Sequence, residues 1–204
     1  MGGDYYDFLM LPGGRVGFAI GDISGKGVPA ALLMAGLQAS LRAQTPQGAN
    51  DLSSLMGNLN RLLHEASPAN RYATFFYGQL DASTRDFTYV NAGHNAPMLF
   101  RGREILRLTT GGPVVGLLPE APYEQATVRL EPGDVLVAFT DGVSEAMNAA
   151  DEEWGEVRLI AAVQGSGGLP ARELLDRIMA GADSFAAGAP QHDDMTIVVL
   201  RVLG

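Results

Sequence analysis

Aspartates at the ends of apolar segments are the residues of this sequence best suited to do chemistry. An aspartate at a strand end has its backbone fixed by the sheet, so its side chain emerges at a defined place on the rim. Several such carboxylates converging would repel one another unless a cation lay among them. Oxygen-only ligands favour a hard ion such as Mg²⁺ or Mn²⁺. The candidates are Asp4, Asp22, Asp141, Asp193 and Asp194.

Each aspartate taken singly could instead be a turn former or a helix cap, because Asp is favoured in both places. Capping does not explain why apolar strands end this way at Asp22 and Asp141, or why another begins just after Asp193. The metal hypothesis therefore depends on the three carboxylates together.

A glycine-rich loop at 21–27 precedes a helical segment, an arrangement that often binds phosphate. The Walker A pattern fails at both ends, with Ile20 in place of glycine and Gly27 in place of Ser or Thr. The glycine spacing also fails the dinucleotide fingerprint. A nucleotide cofactor is therefore disfavoured.

Other polar residues near these segments could contribute to a site. Lys26 could contact phosphate or be a surface lysine, and His192 could support its neighbour Asp193. His94, in the tight turn at 91–97, could be structural or line a site. The chain has no cysteine and no Gly-x-Ser-x-Gly motif, so the sequence favours no covalent nucleophile.

Hydrophobic periodicity and turn residues predict the helices and strands that position these residues. Helices are predicted over 30–43, with Pro29 in the first turn, over 51–66 with Asp51 as cap, and near 154–163 and 171–187. Their segregation from short, turn-linked strands predicts a layered α+β domain. Strands are predicted at 8–11, 15–20, 72–80, 87–90, 97–100, 105–108, 126–130, 135–139 and 195–202.

Composition narrows the class of protein. The 204 residues are 47% hydrophobic and 18% charged, which fits a folded domain, with one domain as the default. A net charge of −9 without a basic patch argues against nucleic-acid binding. No apolar run is long enough to span a bilayer, and the lack of cysteine fits a cytoplasmic setting.

Five motifs, in this order along residues 2–202, resemble the PPM family of metal-dependent serine/threonine phosphatases, most closely its SpoIIE/RsbU-type branch. They read GGDYYD at 2–7, GDISGKG at 21–27, AGHNAP at 92–97, TDGVSEA at 140–146 and DDMT at 193–196. The resemblance implies a four-layer αββα sandwich, with two antiparallel sheets flanked by helices. It predicts one domain over 1–204 that lacks the family's first strand.

The resemblance also implies a binuclear Mn²⁺ or Mg²⁺ site that activates a water for attack on phosphorus. Asp22 would bridge the metals, the backbone carbonyl of Ile23 would be a ligand, and Asp141 and Asp193 would complete the set. Asp4 would be a ligand or hold metal-bound water. The surrounding residues would be Asp194, Gly142, His192 and Lys26.

The implied substrate is phosphoserine or phosphothreonine on a regulatory partner, such as an anti-sigma-factor antagonist, under control of an upstream sensory or receiver domain. Eukaryotic protein phosphatase 2C enzymes carry a histidine in the first metal loop, thought to protonate the leaving group, where this chain has Ser24. The resemblance therefore does not identify the group that protonates the leaving group here. A non-catalytic binding module of the same fold and a hydrolase of small phosphate esters are the alternatives.

Overall fold

The computed structural model describes residues 3–45, 51–67 and 71–203. The chain forms two compact units. Unit 1 comprises Met1–Ala96 and Leu108–Leu130, and unit 2 comprises Pro97–Arg107 and Glu131–Gly204. The predicted site residues are divided between these units.

Unit 1 has one sheet of six strands within its described residues. The strands are β1 (Tyr5–Leu11), β2 (Arg15–Ile23), β3 (Ala73–Asp81), β4 (Asp86–Ala92), β7 (Gly111–Gly112) and β8 (Ala126–Arg129). The sheet order is β1-β2-β3-β4-β7, and β8 also pairs with β4. All pairs are antiparallel except the short β4–β7 pair. Because β2 is hydrogen-bonded to a strand on each side, the sheet fixes the backbone of Asp22 near its end.

Two helices cover one face of this sheet. Helix α1 (Val28–Gln44) begins after Gly27, whose φ of 88° ends the glycine loop, and has Pro29 in its first turn. Helix α2 (Leu52–Ala66) is capped by Asp51, whose side chain accepts a hydrogen bond from the backbone N–H of Ser54 at 3.0 Å. The buried faces of both helices share one core with the sheet.

Unit 2 has a four-stranded antiparallel sheet within its described residues. The strands are β5 (Met98–Arg101), β6 (Glu104–Arg107), β9 (Val135–Phe139) and β10 (Ile197–Arg201). The helices are α3 (Asp141–Ser144), α4 (Gly155–Gln164) and α5 (Ala171–Ala186). The sheet order is β10-β9-β5-β6, and residues from α4 and α5 share a core with this sheet around the buried Trp154.

The predicted α+β class is confirmed, and every predicted strand and long helix is present with ends shifted by a few residues. Two features differ from the prediction. The pair of β4 with β7 is parallel, so unit 1's sheet is not wholly antiparallel. Asp141 does not simply follow a strand but begins helix α3. None of the helices in the described ranges has the length and apolarity needed to cross a membrane.

Candidate metal centre

Asp22 and Ile23 end strand β2 in unit 1. Asp22 pairs with Thr74 across the sheet and Ile23 pairs with Ala73. Ile23 is buried in the core beneath α1 and α2, whereas Asp22 remains partly exposed. The burial of its neighbour therefore anchors Asp22 while its carboxylate stays accessible.

Gly3 packs directly against the two predicted ligand oxygens of this strand end. A Cβ on Gly3 would lie 2.5 Å from Asp22 Oδ1 and 2.8 Å from the Ile23 carbonyl oxygen. The Ile23 N–H donates to the Gly3 carbonyl at 3.3 Å, which holds the two segments together. A side chain at position 3 would therefore press on both predicted ligand oxygens, so glycine is needed for this close approach. A carboxylate and a backbone carbonyl are oxygen donors of the kind that a hard divalent cation prefers.

The glycine loop after Ile23 is contacted by Arg71, a residue that the sequence analysis did not single out. Arg71 donates from Nη1 to the Ser24 carbonyl at 3.2 Å, and the same nitrogen would lie 2.8 Å from a Cβ on Gly25. Lys26, for which the sequence left open a phosphate contact or a surface role, is exposed. No local pattern marks Arg71, because it reaches the loop only through the pairing of β2 with β3.

In unit 2, the segments of Asp141 and Asp193 lie side by side. Thr140 donates its backbone N–H to the Thr196 carbonyl, and Thr196 N–H donates to Thr140 Oγ1, both at 3.0 Å. Gly142 packs against the Asp194 carbonyl so closely that no Cβ fits there. The motifs at 140–146 and 193–196 therefore form one local structure within unit 2.

Negative charges of this local structure act on Glu145. Partial burial of the Glu145 carboxyl, together with the negative charges of Asp141, Glu153 and Asp193, raises the pKa of Glu145. Glu145 was not among the predicted site residues, although it lies four positions after Asp141 and its N–H donates to the Asp141 carbonyl at 2.7 Å. A cation near these groups would relieve their repulsion.

A cavity of about 390 Å³ adjoins these carboxylates within unit 2. Gly142, Glu145, His192 and Asp193 contribute to its wall, and the remaining lining comes largely from α5 and the segment that follows it. His192 and Asp193 are exposed, and the Asp194 N–H donates to Asp193 Oδ1 at 2.9 Å. Space for a ligand is thus available beside Asp193.

Comparison with known proteins agrees with these motifs. The family model described as stage II sporulation protein E (SpoIIE) matches residues 12–203. The chain belongs to the SpoIIE family. Membership confirms the prediction made from the five motifs.

Relatives of this SpoIIE-family chain include a phosphatase and two solved structures. Phosphoserine phosphatase RsbU of Bacillus subtilis is 32% identical over 98% of the chain and 59% of RsbU. The crystal structure of the RsbU and RsbW domains of Rv1364c from Mycobacterium tuberculosis is 26% identical, with a TM-score of 0.78, and the match covers 100% of this chain and 58% of the chain in that structure. RsbX in complex with magnesium is 18% identical, with a TM-score of 0.70 over 98% of the chain and 86% of RsbX, and shows the same fold. The chain thus covers less than two thirds of the length of RsbU and of the Rv1364c structure.

The ligand set predicted for this SpoIIE-family chain draws residues from each unit. Asp4, Asp22, Ile23 and Lys26 belong to unit 1. The unit 2 members are Asp141, Gly142, His192, Asp193 and Asp194. Among the described residues, no three His, Asp or Glu side chains form a ready-made metal cluster. The full set of ligands stays a prediction.

Proposed function

We propose that this chain is a metal-dependent serine/threonine protein phosphatase. The observation that carries the proposal is that the end of β2 holds the Asp22 carboxylate and the Ile23 carbonyl, two predicted ligand oxygens, side by side against Gly3, where any side chain would collide with both. Family membership and the similarity to RsbU support the same activity.

Mn²⁺ or Mg²⁺, as a binuclear centre, would be held by Asp22, the Ile23 carbonyl, Asp141, Asp193 and Asp4. Magnesium in the similarly folded RsbX and the oxygen-only donors support this choice. Such ions supply an activated water at neutral pH and neutralise charge on phosphoryl oxygens. Asp194, Gly142, His192 and Lys26 would shape the surroundings of the ligands.

The chain's own residues would orient the reacting groups. Sheet pairing keeps Asp22 in place, and the contact of Gly142 with Asp194 keeps the unit 2 carboxylates in place. The sequence contains no cysteine, which agrees with direct attack by water rather than a covalent phosphoenzyme.

The substrate would be a phosphoserine or phosphothreonine on a regulatory partner protein, such as an anti-sigma-factor antagonist, in the cytoplasm. The support is that RsbU is a phosphoserine phosphatase and that Rv1364c carries RsbU and RsbW domains in one protein. Control by an upstream sensory or receiver domain is part of the same proposal.

Hydrolysis of an aryl phosphate with and without Mn²⁺ tests the activity. We expect metal-dependent turnover in the wild type and its loss in Asp22→Asn and Asp141→Asn, one variant from each unit. Asp176→Asn is the matched control, because Asp176 lies on the exposed face of α5 in a surface ion pair with Arg172. Metal-independent turnover, or full activity in both ligand variants, would contradict the proposal.

A substrate panel separates a protein phosphatase from a hydrolase of small phosphate esters. The wild type is offered a phosphoserine-bearing regulatory protein and free phosphoserine at equal concentration. We expect a kcat/KM for the protein that is higher by about 100-fold, since contacts remote from the reacting bond contribute to transition-state binding. Equal values would favour the small-ester alternative.

A further inference from the structure

The motif at 92–97 contains a buried histidine that the proposed function leaves without a role. His94 is 6% exposed, and Asn91, which precedes its turn, is 4% exposed. Burying such polar side chains is costly unless they are hydrogen-bonded. Their hydrogen bonds therefore indicate what these residues do.

Asn91 fixes the backbone of His94. Its side-chain amide donates to the carbonyls of His94 and Leu108, at 3.0 and 3.1 Å, and its Oδ1 accepts the His94 N–H at 2.8 Å. Asn91 itself is the penultimate residue of β4. The sheet and these three bonds together leave the His94 backbone no freedom to move away.

The ring of His94 meets Thr74, the strand partner of Asp22. His94 Nδ1 lies 3.0 Å from Thr74 Oγ1, and Thr74 Oγ1 lies 3.5 Å from the Asp22 carbonyl oxygen. A hydroxyl has a single proton to donate. If His94 Nδ1–H donates to Thr74, the Thr74 hydroxyl can donate onward to Asp22, so the three residues form a directed chain.

We propose that His94 is a positioning residue for the metal ligand Asp22 and acts through the hydroxyl of Thr74. The inference rests on the metal site of the proposed function. Asn91 holds the backbone of His94, and the His94 ring orients the Thr74 hydroxyl. That hydroxyl restrains the peptide between Asp22 and Ile23, the two residues whose oxygens lie against Gly3. Groups that orient ligands in this way typically contribute about 10- to 100-fold to metal affinity.

Calorimetric titration of the metal-free chain with Mn²⁺ tests the proposal without relying on turnover. We expect Thr74→Val, which keeps a β-branched residue in β3 but removes the hydroxyl, to raise the Kd for Mn²⁺ by about 10- to 100-fold. Thr74→Ser restores the hydroxyl and is expected to bind within about threefold of wild type. The control is Thr88→Val, because Thr88 bonds to Thr127 at 2.8 Å elsewhere in the same sheet.

A double-mutant cycle shows whether His94 acts through Thr74. We expect His94→Ala to weaken Mn²⁺ binding as Thr74→Val does. The double variant should bind Mn²⁺ no more weakly than either single variant, because all three interrupt the same series of hydrogen bonds from His94 to Asp22. Thermal unfolding without metal identifies variants that fail to fold. Should His94→Ala unfold, His94→Gln takes its place in the cycle.

Three results would overturn the inference while leaving the proposed function intact: wild-type affinity in Thr74→Val, equal losses in Thr74→Ser and Thr74→Val, or additive losses in the double variant. A wild-type chain that neither binds Mn²⁺ nor hydrolyses phosphate would overturn the proposed function and this inference together.

Discussion

Asp22 in unit 1 and Asp141 in unit 2 both stand at the end of a buried strand, but their surroundings differ. Asp22 lies within a strand paired on both sides, and the uncharged Thr74 contacts its backbone. Asp141 begins a four-residue helix, and its charge is one of three that raise the pKa of Glu145. In unit 1 a neutral hydroxyl contacts the backbone of the candidate ligand, whereas in unit 2 the negative charges of the candidate ligands act on a neighbouring carboxyl.

These different surroundings predict which kind of change each unit should tolerate. In unit 1, a substitution that displaces backbone or hydrogen bonds should reduce metal binding. In unit 2, a substitution that removes a charge should stabilise the metal-free chain, while one that disturbs the packing of the loop should unfold it. The following changes test this contrast, beginning with the largest expected effect.

Gly142→Ala should strongly destabilise unit 2. The new methyl group would collide with the Asp194 carbonyl, which is backbone and can yield only if the loop moves. We expect a loss of about 3 kcal/mol in the free energy of unfolding, measured by urea denaturation. The control is Gly57→Ala in α2, where a Cβ has open space and should stabilise the chain by about 1 kcal/mol. Equal stability of the two variants would contradict the packing argument.

Gly3→Ala should act on metal binding more than on folding. Its methyl group would meet the Asp22 carboxylate, a side chain that can turn aside, and the Ile23 carbonyl. We expect the Kd for Mn²⁺ to rise by about 10- to 100-fold, as seen when ligand orientation is lost. Calorimetry measures the change, and thermal unfolding without metal should show a smaller loss than Gly142→Ala. Unchanged affinity would mean that metal binding does not depend on the close contact of Gly3 with the oxygens of Asp22 and Ile23.

Several features of the fold were predictable from the sequence because they are local. The cap at Asp51 and the two apolar helix faces depend on residues within a few positions of one another. Strand β7 is two glycines long and α3 has four residues, so neither shows a periodicity. The contacts of Arg71 with Ser24 and of His94 with Thr74 depend on strand pairing between distant segments, which sequence spacing alone does not specify.

Asp7→Asn tests the ion pair of Asp7 with Arg42 in unit 1. Burial alone would raise the pKa of Asp7, but hydrogen bonds from Arg42 and Tyr5 and the charge of Arg42 outweigh it and lower the pKa below the usual 3.8. Arg42 binds the carboxylate at 2.6 and 2.7 Å, and Tyr5 donates to it at 2.8 Å. We expect the variant to lose about 1–2 kcal/mol of unfolding free energy at pH 7.

The pH dependence of that loss follows from the direction of the shift. A carboxyl whose pKa is lower in the folded state stabilises the fold above its unfolded pKa, and this stabilisation disappears as the pH falls through the folded value. The difference between wild type and Asp7→Asn in urea denaturation should therefore be constant near neutrality and shrink below about pH 4. A difference that grows as the pH falls would contradict this assignment.

Glu145→Gln should have the smallest effect and the opposite sign. The substitution removes one charge from the group formed with Asp141, Glu153 and Asp193, so repulsion in the metal-free chain decreases. We expect the free energy of unfolding to rise by about 0.5 kcal/mol in low salt, since the groups are partly exposed to water. The gain should fade in 1 M salt, where screening removes most of the repulsion. Glu124→Gln, at an exposed position of unit 1, should not share this gain. If Glu145→Gln destabilised the metal-free chain, or if its gain persisted in high salt, the carboxylates of unit 2 would not be in electrostatic conflict, and the contrast between the two units would lose its physical basis.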